Sequence, residues 1–199
     1  MAYPTISNFL VERNASRVVS AYQEAVDALS DEDAQAMLDA AWAYNARLAG
    51  LAGISAADGG ADAGTVSSTQ LREQYNQLLN LNGDGVMGYI TIPRLDETLP
   101  IYHGTDEATL QVGVGHIDTS SLPVGGASTH AALSGHRGLP SAKLFTDLDR
   151  MKKGDIFFVR VLKSTSAYQV DQIETVLPDQ TESLNITAGD DYLTLVTCT

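Results

Sequence analysis

The sequence holds one cysteine in 199 residues, Cys198, so no disulfide can form within the chain. Basic residues are few: 12 Lys and Arg against 25 Asp and Glu, a net charge of −13. A nucleic-acid surface needs clustered cations to meet phosphates, and none is present. Docking on anionic lipid is disfavoured for the same reason. The acidic balance is compatible with an extracellular setting. The longest apolar window, residues 34–57, is dominated by Ala and carries Asp39 and Arg47, so it makes a poor membrane span. No basic segment followed by an apolar stretch opens the chain.

Several chemical signatures are missing too. There is no GxSxG elbow, no P-loop and no GxGxxG after a strand, which removes common hydrolase, NTPase and dinucleotide readings. The four histidines, His103, His116, His130 and His136, do not pair with one another or with Cys198 at metal-ligand spacing. No metal and no cofactor is expected. Asn80-Leu-Asn-Gly-Asp-Gly85 resembles the start of a calcium loop, but the twelfth position is Thr91 rather than Glu. A glycine-rich turn leading into a strand is the better reading.

What is present divides near residue 85. Val11, Ala15, Val18, Tyr22, Ala25 or Val26, and Leu29 recur at spacings of three and four, one face of a helix. Ser30 followed by Asp33 signals a helix cap, and a second helix is predicted over about 32–48. Residues 50–68 are rich in Gly, Ala and Ser and read as a loop, with a short helix over 70–79 after it. Beyond Met87 the pattern alternates. Strands are predicted over 89–93, 98–102, 131–134, 156–162, 167–176 and 192–197, with a turn at 163–166 and a short helix over 143–151. Many short strands joined by turns suggest a barrel.

His136 follows the apolar run 131–134 and is flanked by Gly135 and, past Arg137, by Gly138. Cys198 ends the last strand-like run, 62 residues later. As a bland alternative, Cys198 is a buried small hydrophobe and His136 a surface loop residue. A thiol and an imidazole at two strand ends instead fit thiol acyl transfer.

Thr194-Leu-Val-Thr-Cys198 with the upstream Gly135-His-Arg-Gly138 resembles the sortases, the cysteine transpeptidases of Gram-positive surfaces. Further segments resemble the pilus-assembling class C branch. They are 83–90, 99–105, 113–117, 128–131 and 134–148, together with the opening Tyr3-Pro-Thr-Ile-Ser-Asn8.

The resemblance implies a mainly β fold, a sortase-type closed β-barrel with an N-terminal α-helical extension (α+β overall). Residues 1–85 would form the extension, with a lid-region loop at 50–68. Residues 86–199 would form the catalytic barrel, cut short after the cysteine strand. Cys198 would attack the Thr–Gly bond of an LPXTG-like sorting signal, and His136 would serve as general acid and base. The partners would be pilin subunits carrying that signal and an acceptor lysine. The full-length protein would be anchored at the extracellular face of a Gram-positive cell membrane.

Two departures stand out. The family's arginine lies on the strand after the cysteine, and no residue here matches it; Arg137 is not its equivalent. A class C lid carries Asp-Pro and then an aromatic residue, whereas 50–68 has neither Pro nor aromatic, only Asp58 and Asp62, and so suggests a loosely held loop. Two alternatives stay open: a housekeeping sortase that anchors proteins to the cell wall, and a barrel that holds sorting peptides without cleaving them.

Overall fold

A computed structural model describes residues 3–52, 68–138, 142–177 and 179–198. Among the described residues, three helices precede the first strand: α1 (Tyr3–Ala28), α2 (Asp31–Leu51) and α3 (Ser68–Gln77). The Ser30 hydroxyl caps α2 by accepting from the Asp33 N–H at 3.0 Å. Asp31, Glu32 and Asp33 place negative charge against the free amides of the first turn, where the helix dipole favours it.

The helices grip the rest of the molecule through apolar faces with polar tips. α1 buries Ala15, Val19, Tyr22 and Val26, at the helical spacing of three and four. The Tyr22 hydroxyl donates to the Met87 carbonyl at 2.9 Å and accepts from the Leu162 N–H at 2.8 Å. Burial pushes its ionisation up to about 12. On α2, the Asn45 carboxamide pairs with both backbone groups of Leu122, donating at 2.9 Å and accepting at 2.7 Å. Trp42 donates to the Val124 carbonyl at 3.2 Å.

Seven strands form one sheet: β1 (Val86–Ile92), β2 (Glu97–His103), β3 (Val114–His116), β4 (Thr129–Ser134), β5 (Ile156–Val161), β6 (Ser164–Gln169) and β7 (Asp191–Val196). A short helix α4 (Glu107–Val112) carries the chain from β2 to the parallel strand β3. The spatial order is β6-β5-β1-β2-β3-β4-β7. β6 and β7 therefore stand at opposite edges, yet the Tyr168 hydroxyl of β6 donates to Asp191 of β7 at 3.0 Å. That contact curls the sheet into a nearly closed barrel. Asp191 also accepts from the Gly126 N–H at 2.9 Å, tying the loop before β4 to the seam. Ile90, Ile101, Val114, Leu133, Phe145 and Val159 fill the interior.

Several expected elements differ. The turn predicted at 163–166 is tighter: Val161 pairs with Ser164 across Leu162-Lys163, and β6 begins at once. Leu162 takes a left-handed φ of 51° there, its N–H held by Tyr22. The strand predicted over 167–176 is regular only to Gln169; Val170 still exchanges backbone hydrogen bonds with Gly154 and Asp155, at 2.8 and 2.9 Å, and the turn from Lys152 to Asp155 ends the pairing there. The helix predicted over 143–151 is one 3₁₀ turn, Leu148–Arg150. Leu144 has a φ of 40°, incompatible with a right-handed helix, and Leu144 and Phe145 turn into the core instead. Strand β3 and helix α4 were not predicted at all. In 80–86, the Asn80 side chain accepts from Gly85 N–H and Asp84 from Val86 N–H, at 2.9 and 3.0 Å. Those oxygens build a turn, with left-handed glycines at 83 and 85. Residues 53–67, most of the expected lid region, lie outside the described residues.

Candidate active site

β4 and β7 are parallel neighbours, paired from Thr129↔Asp191 to Ser134↔Val196. His136 and Cys198 each lie two residues past the last pair. Adjacent strands stand about 4.8 Å apart, so the two residues leave the sheet from neighbouring strand ends. The backbone stays joined beyond the strands. Gly135 N–H donates to the Val196 carbonyl at 3.1 Å, and the Thr197 hydroxyl donates to the Gly135 carbonyl at 2.8 Å.

Side chains alternate across a strand, and the two faces here differ. Ala131, Leu133, Leu193 and Leu195 belong to the core or pack against it. His130, Ala132 and Ser134 alternate with them on β4, as do Tyr192, Thr194 and Val196 on β7. His130 and Thr194 meet across the strands at 2.7 Å, which fixes both on the outer face. His136 and Cys198 continue that alternation. Along this face exposure grows toward the strand ends: His130 and Ala132 are buried, Ser134 and His136 half-buried, and Cys198 exposed.

The glycines beside His136 serve the backbone rather than a ligand. A Cβ on Gly135 would lie 2.7 Å from the Phe145 ring, so this position admits no side chain. Gly138 has a φ of 73°, a left-handed conformation that favours glycine. The His136 carbonyl accepts from Phe145 N–H at 3.1 Å, and the Gly138 N–H donates to Thr146 at 3.0 Å. The histidine thus sits on a loop pinned to the core from beneath. Arg137 faces away into an ion pair with Asp149 at 2.8 Å.

The other three histidines have both ring nitrogens engaged. His103 lies between the carbonyls of Gly85 and Leu78, at 2.9 and 2.8 Å. His116 meets the Tyr75 hydroxyl through Nδ1 at 2.9 Å and the Ser121 carbonyl through Nε2 at 2.8 Å. His130 faces the Asn185 carbonyl at 3.0 Å and Thr194 at 2.7 Å. His116 is fully enclosed, and burial lowers its pKa from 6.5 to about 4, keeping it neutral. Among the described residues, the imidazole of His136 and the thiol of Cys198 have no hydrogen-bond partner. Among the described residues, no three His, Cys, Asp or Glu side chains gather in a way that could hold a metal ion.

Residues 90–199 match the sequence model of the sortase domain. Sortase A of Streptococcus agalactiae is 34% identical over 117 residues, 57% of this chain and 47% of that protein. Sortase A of Bacillus anthracis is 29% identical over 137 residues, 69% of this chain and 62% of that protein. The chain thus spans about half to three fifths of these curated relatives. Among solved structures, sortase C1 of S. agalactiae is 44% identical with a TM-score of 0.81, over 92% of this chain and 90% of that one. Sortase C of Streptococcus pneumoniae, whose structure was described for its bearing on catalysis and pilin substrate specificity, is 38% identical with a TM-score of 0.74, over 92% and 88%. The chain belongs to the sortase family.

The sequence pointed at Cys198 and His136 but missed what holds them. Thr197 carries the hydroxyl that clasps the two strand ends, and Phe145 props the histidine loop. The adjacency of Thr197 to Cys198 was visible. Its partner, 62 residues away, was not.

Proposed function

We propose that this sortase is a cysteine transpeptidase of the pilus-assembling class, with Cys198 as nucleophile and His136 as general acid and base. The observation that carries this reading is that β4 and β7 are parallel neighbours, so that the imidazole of His136 and the thiol of Cys198, both without a hydrogen-bond partner among the described residues, follow adjacent strand ends. A free thiol ionises at about pH 8.5, so at neutral pH only a few per cent is thiolate unless a neighbour takes the proton. In this reading His136 takes it.

The Cys198 thiolate attacks the Thr carbonyl carbon of an LPXTG-like sorting signal. The C–N bond to Gly breaks, and the imidazolium of His136 gives its proton to the departing amine. The chain is left as a thioester on Cys198. A lysine amine of the next pilin then attacks that carbonyl and loses its proton to His136. The C–S bond breaks, and an isopeptide bond joins the subunits. The pilin pairing is supported by the likeness to the sortase C structures, 44% and 38% identical over 92% of this chain, one of them described for pilin substrate specificity. The reading places the protein at the outer face of a Gram-positive membrane. No described helix is long and apolar enough to cross a membrane.

Incubation with an LPXTG peptide and a lysine-bearing pilin fragment, followed by mass spectrometry, tests this. An adduct on Cys198 and a Thr–Lys isopeptide product are expected, both lost in Cys198→Ala. An adduct resolved only by the amine of a cell-wall precursor would favour the anchoring alternative. Bound peptide with no adduct would leave a binder.

A further inference from the structure

His130 is a buried polar residue, 4% exposed, on the face of β4 that points away from the core. A side chain on an outer face is buried only if something covers it. The cover here is the segment between β6 and β7, at its 3₁₀ turn Glu182–Leu184 and at Asn185. The Asn185 carbonyl can only accept, so Nδ1 of His130 carries the proton and donates at 3.0 Å. Nε2 meets the Thr194 hydroxyl at 2.7 Å. Tyr192 packs its ring 5.5 Å from the imidazole, closing the remaining side.

The outer face is thus closed from His130 to Ala132 on β4 and opens from Ser134 toward Cys198. We propose that His130 is a positioning residue: it docks residues 182–185 as the end wall of a floor along which an extended peptide lies with its scissile bond at Cys198. The proposal rests on the transpeptidase reading for its peptide. His130 touches neither the sulfur nor the His136 ring. Its loss should therefore alter how well the peptide is held, leaving the bond-breaking step intact.

Three substitutions test this in the full chain. His130→Leu keeps the bulk and removes both hydrogen bonds. His130→Asn keeps a donor where Nδ1 stood. Thr194→Val removes only the Nε2 partner. Amide hydrogen exchange over 182–190, steady-state turnover of an LPXTG peptide, and iodoacetamide alkylation of Cys198 are measured for each. A lost hydrogen bond of about 1 kcal/mol corresponds to roughly fivefold in an opening or binding equilibrium. His130→Leu should raise exchange about fivefold and KM about fivefold, with kcat and alkylation rate within about twofold of wild type. His130→Asn should restore slow exchange. Unchanged exchange in His130→Leu, or a fall in kcat at constant KM, overturns the proposal. Should His130→Leu fail to fold, Thr194→Val carries the test, with exchange expected to rise about twofold and an unchanged rate overturning it. A wild-type chain without turnover would sink the transpeptidase reading, while the exchange result would still decide the role of His130.

Discussion

The junction between helices and barrel and the paired ends of β4 and β7 treat the same chemistry in opposite ways. At the junction, Tyr75 of α3 sits between two imidazoles, with ring centroids 5.0 Å from His103 and 5.6 Å from His116. Its hydroxyl meets His116 Nδ1 at 2.9 Å and accepts from Gly104 N–H at 3.0 Å. Every polar atom of that cluster is spoken for, as a buried group must be to avoid an unpaired desolvation cost. At the strand ends, the backbone is bonded as tightly, yet among the described residues the His136 and Cys198 side chains have no hydrogen-bond partner. A satisfied histidine is architecture. An unsatisfied one on a rigid mount is available for proton transfer.

The comparison breaks most sharply at His136. Its replacement by Ala should lower kcat/KM by about 10²–10⁴, the usual contribution of a general acid–base group. Peptide binding, followed by fluorescence, should change little. Near-normal turnover in His136→Ala would mean that another group moves the proton.

His116 should show the opposite signature, in stability. Its folded pKa of about 4 lies below the unfolded value of 6.5, so between those values the unfolded chain binds more protons. Its contribution is complete above about pH 6.5 and is lost as pH falls toward 4. The depression corresponds to at most about 3 kcal/mol. Urea melts of wild type and His116→Gln should diverge in slope across that window, wild type losing more on acidification. Parallel slopes would show that the ring is not held neutral.

Tyr22 gives the smallest effect. Tyr22→Phe leaves the Leu162 N–H and the Met87 carbonyl without their partner, which should cost about 1–3 kcal/mol in chemical denaturation. A change within experimental error would mean that water replaces the hydroxyl, and that the junction is less dry than the interior it resembles.

Much of this contrast was legible in the sequence, for reasons that can be named. The divide near residue 85 follows from a change of period, and β1 begins at Val86. Ser30 and Asp33 announced the start of α2 through local hydrogen bonding. The strand-like run over 192–197 matched β7, Asp191–Val196, to within a residue at each end. Long-range ties were not legible. Nothing local to Tyr22, Asn45 or Tyr75 says that each reaches backbone or imidazole 41 or more residues away. Nor could composition tell His136 from the other three histidines; the glycines beside it did, though one of them serves Phe145. The strand expected over 167–176 failed because β-pattern alone cannot say where a partner strand ends.

The pH dependence of Cys198 alkylation by iodoacetamide, in wild type and in His136→Gln, bears most directly on the pairing of the two strand ends. If the imidazole and the thiol share one groove, the two rate profiles differ. Superimposable profiles would show that the two side chains do not sense each other.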